Sequence, residues 1–81
     1  MPMYLDHHKG TLSPQMAEEA RKVIRAGMAS PQGVKGLNAF FTKDESWCLT
    51  EAPSAEAVHK YHEAMGMKLG KGDVIEVKTL V

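Results

Sequence analysis

Hydrophobic and polar residues alternate from Met3 to His8. Met3 and Leu5 share one side and Tyr4 and Asp6 the other, the two-residue period of a strand, which Gly10 closes. From Ser13 the period lengthens to that of a helix: Met16, Ala20, Val23 and Ile24 share a face, Ser13 holds the N-cap position, Pro14 follows it, and Gly27 is the stop. After the turn-rich MASPQGVKG, the segments LNAFFT and SWCLTE read as two strands joined at KDE. APSAEAVHKYHEAMG predicts a second helix, capped by Ser54 and ended by Gly66, and DVIEVKTLV a last strand with Ile75 and Val77 on one side.

This order predicts an α+β, ferredoxin-like βαββαβ fold as a single domain over residues 1–81. Right-handed crossovers place both helices on one face of a four-stranded antiparallel sheet, with the first and third strands central. The other face is left bare, and a bare apolar face on so small a domain predicts a homodimer.

Charge narrows the partners. Ten basic and ten acidic side chains balance without runs of either sign, which leaves no footprint for nucleic acid or an anionic membrane. No apolar stretch is long enough to span a bilayer and no secretory leader is readable, so a cytoplasmic location is the expectation. Cys48 is the single cysteine and can form no internal disulfide.

The candidate chemistry lies where the first strand ends. On the second helix Val58, Tyr61, His62 and Met65 form one stripe with His59 on its flank, so His62 points at the sheet. The topology brings its turn toward the end of the first strand, with Asp6, His7 and His8, and toward Cys48 on the third. Strand parity decides which atoms meet. If Met3 and Leu5 face the helices, His7 joins His62 beneath them, giving a His7/Cys48/His62 site, while Asp6 and His8 project from the open face. The alternative is an Asp6/His8/Cys48 set on the open face, closed from the side by His62. Either donor set suits nickel, zinc, cobalt or copper, with Asp6 as ligand or as the acceptor fixing a histidine tautomer. Taken singly, a histidine on a helix face or a cysteine in a strand is more often ordinary packing than a ligand; convergence at one end of the domain carries the metal reading.

MPMYLDHHKG, WCLTEAPSAEAVHKYHEAMG and the closing VIEVKTLV together resemble a family of small bacterial ferredoxin-like proteins, catalogued as a domain of unknown function, that includes a Streptomyces nickel-binding protein. The matching positions are Tyr4, Asp6, His8 and Gly10, then Cys48, Leu49, Glu51, Ala52, Pro53, Ala55 to Val58, and His62. The resemblance implies the same fold and points to Asp6, His8, Cys48 and His62 as metal-site candidates, with His7 an addition of this chain. Histidines that many relatives carry in the first helix and just before the glycine ending the second are absent, and Met65 stands at the latter position.

Two functions follow. The leading one is a small cytoplasmic metal-binding protein that holds nickel or a similar divalent ion. The alternative is a dimeric small-molecule-binding protein or cofactor-free monooxygenase-like enzyme, in which Tyr4, His8 and Trp47 line a pocket and Asp6 assists His8 as general base.

Overall fold

A computed structural model describes residues 1–81 and has the expected order of elements. Strand β1 is Met3–Lys9, helix α1 Pro14–Ala26, β2 Lys35–Phe41, β3 Glu45–Glu51, helix α2 Ala55–Ala64, and β4 Val74–Val77, preceded by a short 3-10 turn at Lys71–Asp73. The strands form one antiparallel sheet in the order β2-β3-β1-β4, the ferredoxin-like arrangement with β1 and β3 in the centre.

Local chemistry sets the element ends. The Ser13 hydroxyl accepts from the Met16 N–H and the Ser54 hydroxyl from the Ala57 N–H, each satisfying one of the free donors at a helix start. Gly27 ends α1 in the left-handed region at φ 65°, and its N–H closes on the Ile24 carbonyl. The Thr42 hydroxyl accepts from the Asp44 and Glu45 N–H groups and so shapes the β2–β3 turn.

Two expectations change in detail. The inward face of α1 is Ala17, Ala20 and Ile24, while Met16 and Val23 are exposed, because the helix leans on β2 by its small side chains. The last strand stops at Val77, where its pairing with Met3 ends, and the chain beyond runs free of the sheet.

The packing also decides the parity that the sequence leaves open. Tyr4, Asp6 and His8 lie beneath the helices, and Met3, Leu5 and His7 turn to the open face. The reason is visible in the packing: Tyr4 joins Val34, Ala52, Val58 and Val74 in the core, and Asp6 and His8 meet His62 of α2. Through the register, Ser46, Cys48 and Thr50 share the covered face, and Trp47, Leu49, Ile75 and Val77 share the open one. Only nine of 81 residues are buried, and four of those, Asp6, Ser46, Thr50 and His62, are polar. A core that small and that polar is unusual unless the polar groups serve something.

Candidate metal centre

The centre is built where β1, β3 and α2 converge. Antiparallel register places Asp6 directly opposite Cys48 and His8 opposite Ser46, so alternation along both strands turns Asp6, His8 and Cys48 to the same side. The ligand atoms of these three residues lie within 4.8 Å of one another. Bonds of about 2.0–2.3 Å to one ion impose separations below about 4.6 Å, so the three donors would have to draw slightly together around an ion.

Asp6 is the hub. It is fully buried, its Oδ1 accepts from His8 Nε2 at 2.5 Å, and the same oxygen lies 3.7 Å from His62 Nε2. His62 donates from Nδ1 to the Val58 carbonyl at 2.8 Å. That bond fixes the proton on Nδ1 when the ring is neutral and leaves the Nε2 lone pair facing Asp6. The His8 and His62 rings lie 5.0 Å apart, and Tyr61 meets His62 edge to face at 5.3 Å. Asp6 Oδ2 accepts no well-formed hydrogen bond, and the Cys48 thiol is the polar group beside the carboxylate. A buried carboxylate oxygen without a donor is costly, and a cation is the simplest group that would satisfy it.

The electrostatics match this picture. Burial first, and then the Asp6 carboxylate beside it, push the Cys48 thiol from its ordinary 9.0 up to about 12. The Tyr61 hydroxyl is also pushed up, by burial and then by Cys48 and Asp6. Cys48 is therefore a neutral thiol near neutral pH, poor as a nucleophile and available as a soft ligand only when an ion displaces its proton.

The structure thus gathers Asp6, His8, Cys48 and His62 inside the protomer, on the helix-covered face, and not on the open one. His7 stands apart. It faces the other side of β1, where Nε2 meets Glu45 Oε1 at 3.0 Å, Nδ1 lies 3.7 Å from Asp73, and the ring packs on Trp47 at 5.4 Å. No His7/Cys48/His62 site forms. The pocket of Tyr4, His8 and Trp47 does not form within a protomer either, because Trp47 lies on the opposite face. Tyr61, one position before His62 on the helical stripe, is a further neighbour of the centre.

These features define a class: a small ferredoxin-like domain carrying a histidine and thiol cluster around a buried carboxylate. A family model described as nickel responsive protein SCO4226-like matches residues 4–77, and the chain belongs to that family. The structure is similar to the crystal structure of SCO4226 from Streptomyces coelicolor A3(2), with a TM-score of 0.71 and 25% sequence identity over 98% of this chain and 99% of that one. Among curated protein sequences, none matches the chain. No helix is long and apolar enough to cross a membrane.

Proposed function

We propose that this protein binds a divalent transition-metal ion through Asp6, His8 and Cys48, with His62 positioned against Asp6 as a further donor or as its support. The observation that carries the reading is the unpartnered Asp6 Oδ2, buried beside an imidazole and a thiol whose ligand atoms lie within 4.8 Å. Nickel is the ion favoured, because the family is described as nickel responsive. Zinc, cobalt and copper suit the same donors, and the affinity order alone does not separate them. Three or four side chains leave an ion that prefers six donors open to exchange, which fits holding or buffering the ion better than a closed structural site. The ion would neutralise the Asp6 carboxylate and stabilise the Cys48 thiolate; the protein's part is to orient the donors and keep water from the carboxylate.

The test is calorimetric titration of Ni²⁺ into chelator-stripped protein, beside His8→Ala, His62→Ala and Cys48→Ser. Saturable binding that weakens in the variants is the expected result. Heat no larger than dilution for the native chain would refute the reading.

A homodimer through the open sheet face is part of the same proposal. Met3, Leu5, Trp47, Leu49, Ile75 and Val77 share that face, and Ile75 is 52% exposed. Four strands about 4.8 Å apart make a face of several hundred Å², large for an uncovered apolar patch on a monomer. Its centre is uncharged and therefore self-complementary, as a two-fold interface requires.

A further inference from the structure

Strand β2 is one edge of the sheet, and most of that edge is bare. A bridge from Ala29 covers its start at Lys35, and a bulge follows between Gly36 and Asn38. Residues 38–41 beyond the bulge pair with β3 on one side only. The Thr42 N–H turns inward to the Glu45 carbonyl, so by alternation Phe41 and Ala39 turn their N–H groups off the sheet. What Ala39 meets there is the side chain of its own neighbour, Asn38 Oδ1, at 2.8 Å. Charge and proline are the usual means of blunting an edge, and residues 38–41, NAFF, contain neither.

An apolar groove runs beside the same residues. It measures about 280 Å³ and is walled by Leu12, Ala17, Ala20 and Ile24 on one side and by Ala39 and Phe41 on the other. The space exists because α1 brings small side chains to β2 and buries none of its residues. A backbone edge next to an apolar groove is suited to strand addition, in which main-chain hydrogen bonds supply affinity and alternate side chains enter the groove.

The chain holds a segment of the matching kind. Past Val77, residues 78–81, KTLV, leave the sheet, with Leu80 and Val81 fully exposed. They follow β4, at the edge opposite β2. Three strand spacings separate the two edges, about 14 Å, and four extended residues reach about 13 Å. The segment would spend its whole length crossing the sheet and has none left to run along its own β2. Only the β2 of a second copy can take it as a strand.

Resting on the homodimer reading above, we propose that the two protomers exchange residues 78–81, each adding them as a further strand to the bare part of its partner's β2, with Leu80 seated in the groove under α1. The four residues of the segment match the four bare residues of the edge, and a two-fold axis makes the contact twice. The incoming backbone takes the place of the Asn38 side chain at the Ala39 N–H.

Sedimentation equilibrium of the native chain and of Leu80→Asp, with amide hydrogen exchange followed residue by residue by NMR, tests this. Leu80 is fully exposed within the protomer, so the substitution leaves the protomer's fold intact. The dimer dissociation constant is expected to rise about a hundredfold, about tenfold for each of the two buried Leu80 side chains. At a concentration that keeps both proteins dimeric, the Ala39 and Phe41 amides are protected in the native chain and open in the variant. Amides equally open in both, or a variant that dimerises as tightly as the native chain, would overturn the exchange and leave the dimer standing. A native chain that has the mass of one protomer at every concentration would overturn the homodimer reading, and the exchange with it.

Discussion

The two faces of the sheet carry opposite chemistry to the one their positions suggest. The helix-covered face presents Tyr4, Asp6 and His8 with Ser46, Cys48 and Thr50; the open face presents Met3 and Leu5 with Trp47, Leu49, Ile75 and Val77. In a one-sheet domain the covered face is ordinarily the apolar one. Here the protein's interior holds a carboxylate, two histidines and a thiol, and much of its best hydrophobic surface lies outside the protomer's own core. The covered face is thus organised around a charge, and the open face is the surface that the proposed dimer would bury.

The strongest way to break the comparison is to charge the open face. Leu5 sits in its middle, between Leu49 and Ile75. Leu5→Asp would bury an unpaired carboxylate in a two-fold interface, at about 3–5 kcal/mol. Light scattering is expected to give the mass of two chains for the native protein and of one for the variant. A native protein that already has the mass of one chain would remove the partner from the argument.

The next effect concerns the covered face. Asp6→Asn keeps the shape and removes the charge, so the nickel affinity is expected to fall about a hundredfold, the upper end of what losing a close electrostatic partner of a metal site costs. The metal-free variant should lose no stability, because a buried carboxylate with an unpartnered oxygen has gone. Urea melts with and without Ni²⁺ separate the two effects. A variant that binds nickel as tightly as the native chain would detach Asp6 from the centre.

Cys48 gives a pH signature of intermediate size. Because its thiol is held up to about 12, a proton must leave for sulfur to bind the ion. The apparent nickel affinity should therefore rise about tenfold per pH unit between about pH 7.5 and 9, and Cys48→Ser should flatten that slope. Stability without metal moves the other way. The folded-state pKa lies above the ordinary 9.0, so as pH rises through that value the unfolded chain gives up its proton first and stability falls, until the folded thiol too ionises near 12. Denaturant midpoints across this range, compared with Cys48→Ser, read the thiol's share.

The order of elements was legible because caps, turn residues and hydrophobic period agree along most of this chain: Ser13, Pro14 and Gly27 around α1, Ser54 before α2. The convergence of Asp6, Cys48 and His62 followed from topology, since an antiparallel β1–β3 pair beneath α2 leaves them little other choice. Parity was not legible. A strand reading Met-Tyr-Leu-Asp-His-His offers an apolar side and a mixed side, and the usual rule assigns the apolar side to the helices. That rule fails here because Tyr4 fills the core while Leu5 is spared for the open face. Equally hidden was the start of β4 at Val74, opposite Asp6, which leaves the end of β1 without a partner on that flank and which strand propensity in VIEVKTLV does not reveal.

The smallest effect tests whether all of the covered face's polarity serves the metal centre. Thr50 lies on that face opposite Tyr4, two residues from Cys48 and toward the apolar end of the core, and its hydroxyl is buried without a partner. Replacing it with a methyl group of similar shape removes an unpaired polar atom without opening a cavity, so Thr50→Val should stabilise the metal-free protein by about 1 kcal/mol. Its nickel affinity should be that of the native chain. A gain in stability with unchanged binding would confine the functional polarity to the Asp6–His8–Cys48 end. A loss of nickel affinity would extend the centre one strand position further, to a hydroxyl that then acts on Cys48 or Asp6 through the ordered interior between them.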